Sequence, residues 1–144
     1  MRPTRSCEAY IDGASRGNPG PAGVGVVLID GQSRPIRQLS KYLGETTNNV
    51  AEYLALVYAL LEARHAGFEH ITVKTDSELL ARQMSGQYRV RDPLLRLLHG
   101  VALHTAQVFA SWRIEHIPRT QNRQADRLAG QAVRGKTPGP AAPH

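Results

Sequence analysis

A change of period at residue 48 constrains the fold of this chain more than any other feature. Before it, three extended stretches follow one another: residues 5–12, ending in Ala9-Tyr10-Ile11; residues 22–29, AGVGVVLI; and residues 33–43, which alternate loosely. Gly, Pro and Asn separate them, so this part reads as an antiparallel meander. From Asn48 to His65 apolar residues fall instead at Val50, Leu54, Val57, Leu60 and Leu61, which is helical spacing. Thr46-Thr47-Asn48-Asn49 supplies capping groups at the start and Gly67 a stop.

The remainder alternates between the two periods. Residues 70–75, HITVKT, read as a short buried strand. A helix restarts over 77–84, capped by Asp76 or Ser77, and Gly86 breaks it. Pro93 opens another helix, Leu94 to about Val108. Residues 111–117 read as a strand, and Asn122 caps a last helix from Arg123 to about Val133. The order β-β-β-α-β-α-α-β-α implies an α/β mixed sheet with helices packed on its faces. Residues 1–134 are expected to form one domain. Residues 135–144, rich in Pro, Gly and Ala, are expected to be a disordered tail.

Charge points to a partner. The chain carries 18 Lys+Arg against 12 Asp+Glu, a net +6. Between positions 81 and 136, ten basic residues face only Asp92, Glu115 and Asp126. A basic half suggests a polyanion, with nucleic acid first, although a merely soluble surface reads the same way. The single cysteine, Cys7, excludes an internal disulfide and fits a reducing compartment. The first residues are polar and charged, and no apolar run approaches the roughly 20 residues of a membrane span. The expectation is a soluble, cytoplasmic protein without a membrane partner.

Four acids sit at or near element ends: Asp12 at the end of the first strand, Glu52 about one turn into the long helix, Asp76 after the fourth strand, and Asp126 in the first turn of the last helix. Singly, each has an ordinary reading as a turn former, a cap or a solvated helix residue. Jointly they suggest more. If strands one and four are adjacent and parallel, Asp12 and Asp76 emerge side by side, and the long helix can lay Glu52 over them. Crowded carboxylates repel, and a divalent cation removes that penalty. Mg²⁺ prefers such oxygens, and a pair of ions about 4 Å apart clamps an in-line phosphoryl displacement.

Four blocks, YIDGASRGNPGPAG, TTNNVAEYLAL, VKTDSELL and QNRQADRLA, resemble those of the ribonuclease HI family, in the family's order and across residues 8–133. The resemblance implies a five-stranded sheet of order 3-2-1-4-5, its first three strands antiparallel. It implies endonucleolytic cleavage of the RNA strand of RNA–DNA hybrids, with 5′-phosphate and 3′-hydroxyl products, by a monomer using two Mg²⁺ ions, with Mn²⁺ as a substitute. Asp12, Glu52, Asp76 and Asp126 would be the catalytic metal ligands. Gly13, Asn18, Thr47, Asn48, Asn49 and Ser77 would contact substrate, the asparagines reading the wide, shallow minor groove and its 2′-hydroxyls. Helix capping is the ordinary alternative for Thr47 and Asn48, and the two roles are compatible.

The chain departs from the family pattern in two places. The long basic insertion of some members is reduced here to residues 84–92, where Tyr88 and Arg89 would be a smaller grip on the substrate. The resemblance therefore implies a compact form, expected to bind the hybrid more weakly than members with the insertion. The family's loop histidine is also missing. His116 reads as a strand residue, and Arg119 is the better loop residue for touching phosphate. Trp112 reads as core. Competing functions are a nuclease acting also on double-stranded RNA, a non-catalytic hybrid-binding module, and, more distantly, a metal-dependent phosphatase.

Overall fold

A computed structural model describes residues 5–135. Strands β1 (Ser6–Ser15), β2 (Gly20–Asp30) and β3 (Pro35–Thr46) form the meander, followed by helix α1 (Asn48–His65). Then come β4 (His70–Thr75), α2 (Glu78–Met84), α3 (Pro93–Ala106), β5 (Ser111–His116), a 3-10 turn at Arg119–Gln121, and α4 (Arg123–Arg134). The sheet order is β3-β2-β1-β4-β5. β1 and β2 pair antiparallel, as do β2 and β3, while β1–β4 and β4–β5 are parallel. Fold class, element order and strand order all match the expectation. Residues 136–144, almost all of the expected tail, lie outside the described residues. Among the described residues no helix is long and apolar enough to cross a membrane.

Alternation along the central strands divides the chain's apolar residues between two faces. One face carries Ala9 and Ile11 of β1, Val24, Val26 and Leu28 of β2, and Ile71 and Val73 of β4, all buried. Against it pack Tyr53, Leu56 and Leu60 of α1, with Leu95, Ala102 and Ala106 of α3. Trp112 is only partly buried, at the margin of this core. α4 covers the opposite face, where the strands offer glycine instead of bulk. A Cβ on Gly25 would stand 2.1 Å from the Ala125 carbonyl oxygen, and one on Gly23 would stand 2.6 Å from Ala132 Cβ. Those two bare positions let the α4 backbone rest directly on β2.

Several boundaries differ from the sequence reading. β2 and β3 cover Gly20–Asp30 and Pro35–Thr46, against the expected 22–29 and 33–43. β1 does not end at Asp12 but runs on to Ser15, because Asp12 to Ser15 pair with Ala22 to Gly25. Cross-strand pairing overrides the turn propensity of Gly-Ala-Ser. α3 stops at Ala106, two residues early, as the chain turns to bury Phe109. The loop after β5 holds a turn of 3-10 helix.

Candidate active site

The parallel register of β1 and β4 ends with Ile11 opposite Thr75. The next residues are Asp12 and Asp76, so the two acids stand side by side just past the last β1–β4 pair, Asp12 still paired with β2. Glu52 reaches them because β1 and α1 touch backbone to backbone. A Cβ on Gly13 would lie 2.3 Å from the Ala51 carbonyl carbon and 2.4 Å from Glu52 N. The Gly13 N–H donates to Glu52 Oε1 at 3.1 Å, fixing that carboxylate. Asp12, Glu52 and Asp76 each place a carboxylate oxygen within 4.8 Å of the others. Asp126 stands apart from this trio. From the first turn of α4 it lines the same cleft and its charge adds to the burden on Asp12. Its Oδ1 is 3.7 Å from Arg119 Nη2, in a pair exposed on both sides.

The trio is electrostatically expensive without a counterion. Asp12 is pushed up to about 9, first by burial and then by the charges of Glu52 and Asp76, with Asp126 adding to the rise. Glu52 rises to about 8, again first by burial, then by Asp76. The Gly13 N–H and the Arg119 charge oppose that rise without cancelling it. Three hard oxygen donors at this spacing, with a charge debt that a cation would cancel, fit Mg²⁺ or Mn²⁺.

A cleft of about 370 Å³ opens over the acids, lined also by Gly13, Asn48, Ser77 and Arg119. Ser77 both lines the cleft and caps α2, its Oγ accepting the Leu80 N–H at 3.1 Å. Thr47 caps α1 by accepting the Val50 N–H at 3.2 Å. Asn18 Oδ1 accepts the Asn48 N–H at 2.8 Å, tying the β1–β2 connection to the start of α1. Asn49 is exposed in the first turn of the same helix. Two expected substrate contacts lie elsewhere. Tyr88 and Arg89 line a separate groove of about 560 Å³ between the end of α2 and α3, with Arg96 and His99. Buried Gln83 fastens its wall, accepting from Tyr53 Oη at 2.6 Å and donating to the Arg89 carbonyl at 3.4 Å. His116 ends β5, exposed and outside the acid cleft, whereas Arg119 belongs to the cleft.

One residue has a different role from the one its sequence position suggests. Asn122 precedes α4 but makes no side-chain capping bond. Its side chain is turned inward and is 1% exposed. Nδ2 donates to the Ile11 carbonyl at 2.8 Å and to Asp76 Oδ2 at 3.3 Å. Oδ1 has no hydrogen-bond partner among the described residues, a state that costs about 1–3 kcal/mol for a buried acceptor. The Asn-before-helix pattern reads as a cap, and nothing local signals a partner 111 positions away.

Comparisons with known proteins agree with this geometry. The family profile described as "Reverse transcriptase-like" matches residues 10–132. A ribonuclease HI from Halobacterium salinarum is 44% identical over 125 residues, covering 87% of this chain and 63% of that protein. The chain spans 34% of the length of three mycobacterial relatives. The crystal structure of RNase H1 from Halobacterium salinarum superposes with a TM-score of 0.89 at 42% identity, covering 91% of this chain and 99% of that one. LC11-RNase H1, crystallised in complex with an RNA/DNA hybrid, gives 0.85 at 41% identity over 89% of this chain and 96% of that one. With the profile spanning nearly all of the described residues and the carboxylates meeting where the pairing of β1 with β4 ends, the chain belongs to the ribonuclease H family.

Proposed function

We propose that this chain is a metal-dependent endoribonuclease that hydrolyses the RNA strand of RNA–DNA hybrids, acting as a cytoplasmic monomer and leaving 5′-phosphate and 3′-hydroxyl ends. The observation that carries the reading is the Asp12–Glu52–Asp76 cluster, within 4.8 Å, at the floor of an open cleft. A hybrid bound to the similar LC11-RNase H1 supports the substrate class. Two Mg²⁺ ions, when bound, would supply water activation and charge stabilisation at the departing 3′-oxygen, with Mn²⁺ as a substitute.

The chain's own residues do the rest. Asp12, Glu52 and Asp76 would hold one cation, and Asp126 would help to hold the second. Arg119 stands at the rim opposite Asp126, placed to meet a phosphate oxygen. Asn18 has its oxygen occupied by Asn48, so it offers N–H donors to a minor groove. Gly13 contributes as a close approach, because its own N–H is already taken by Glu52. Tyr88 and Arg89 reach the duplex away from the scissile bond, from the second groove.

The test offers one labelled RNA strand single, paired with DNA and paired with RNA, each with Mg²⁺, Mn²⁺ or chelator. Cleavage of the hybrid, abolished by chelator, is the expected result. Equal cleavage of the RNA duplex would replace hybrid specificity with a broader nuclease. Binding of the hybrid without cleavage under any metal would leave a binding module instead.

A further inference from the structure

We propose that Asn122 is a positioning residue that sets the carboxylates of the active site in mutual register. The inference rests on the reading of those carboxylates as cation ligands. Three bonds converge on this one residue. Its Nδ2 donates to the Ile11 carbonyl, the peptide unit that leads into Asp12. The same nitrogen donates to Asp76 Oδ2, fixing that carboxylate against rotation. Its backbone carbonyl accepts the N–H of Asp126 at 3.0 Å, the regular opening bond of α4, which sets the residue one turn before that acid. Asn122 thus touches β1 beside Asp12, Asp76 itself and the backbone of Asp126, three acid-bearing segments from distant parts of the chain.

The direction of the amide is forced. Both groups facing Nδ2 are acceptors, so the reverse orientation would set oxygen against oxygen twice. The orphaned Oδ1 is the consequence of keeping both N–H bonds. A side chain present only to staple α4 has no need of that arrangement. Ser40 anchors the same helix by donating to the Leu128 carbonyl at 2.7 Å, with no carboxylate involved. Partners that orient a metal ligand typically change affinity or activity by about 10–100-fold when removed.

The experiment compares wild type, Asn122→Ala and Ser40→Ala by melting temperature, Mn²⁺ affinity measured by electron paramagnetic resonance, and kcat and KM on a hybrid. Asn122→Ala is expected to weaken Mn²⁺ binding about tenfold or more and to lower kcat. KM for the hybrid stays within about twofold, and excess cation restores part of the rate. Ser40→Ala loses thermal stability with Mn²⁺ affinity unchanged. If Asn122→Ala melts earlier but binds Mn²⁺ as wild type does, Asn122 is a staple only and the proposal fails. Wild type binding no Mn²⁺ overturns the cation reading itself and this proposal with it. Should Asn122→Ala not fold, the wild-type protein still decides by NMR. The Asn122 side-chain amide protons should exchange slowly and broaden on Mn²⁺ addition; fast exchange, or signals untouched by Mn²⁺, overturns the assignment.

Discussion

Asp12→Asn is expected to abolish hybrid cleavage while making the metal-free protein more stable. The two effects share a cause. Asp12 is buried and faces Glu52 and Asp76, so its charge is costly to hold and valuable to a cation. The amide keeps the shape and removes the charge. Losing a metal site removes several kcal/mol of transition-state stabilisation, so kcat should fall about a thousandfold or more. Hybrid binding should persist, because the substitution leaves the chain's basic residues in place. The pH dependence follows from the folded values of about 9 for Asp12 and about 8 for Glu52, both above the ordinary carboxylate range. Groups raised in this way stabilise the fold fully at pH below about 4, and that contribution is lost as pH climbs toward 9. The metal-free protein should therefore melt progressively earlier over that window. Mg²⁺ should restore most at the alkaline end, where the carboxylates are free of protons. Asp12→Asn should flatten part of the slope. Unchanged cleavage, or a melting curve as steep as wild type, would contradict the assignment.

Gly13→Ala should be nearly as damaging, through packing and not through charge. The new methyl would stand 2.3–2.5 Å from three backbone atoms of Ala51 and Glu52, which cannot move as a side-chain tip can. The helix must lift from β1, and Glu52 lifts with it, losing the Gly13 N–H. Overpacking of this kind costs about 3 kcal/mol or more, a fall of about 10 °C in melting temperature at this size. Activity should fall beyond what the lost stability explains, since Glu52 leaves the trio. Gly100→Ala is the matched control. Gly100 lies within α3 and a Cβ there meets nothing within 4 Å, so a gain of about 0.5–1 kcal/mol is expected. Equal melting temperatures for the two variants would show that the contact between β1 and α1 is looser than described.

Periodicity made most of the fold legible. The switch at residue 48, the cap at Thr47 and the stop at Gly67 all fall where the structure has them, the last with φ +89°. The adjacency of Asp12 and Asp76 was conditional on β1 and β4 lying parallel, and they do. What stayed hidden depends on contacts between distant segments. The last three residues of β1 are strand only because β2 pairs with them. The placement of Asp126 at the rim, paired with Arg119, follows from how α4 settles on Gly23 and Gly25. Asn122 is the clearest case. Its local pattern says cap, whereas its side chain spends its donors on Ile11 and Asp76. Tyr88 and Arg89 are basic-loop residues as read, but the loop folds against α3 and makes its own groove.

The most direct measurement is a crystal of the wild-type protein soaked in Mn²⁺ and recorded at the manganese absorption edge. An anomalous peak bonded to oxygens of Asp12, Glu52 and Asp76, absent from Asp12→Asn crystals treated alike, is the result predicted here. No peak among these three carboxylates, or one that persists without Asp12, would contradict the claim that they form the cation site on which the chemistry depends.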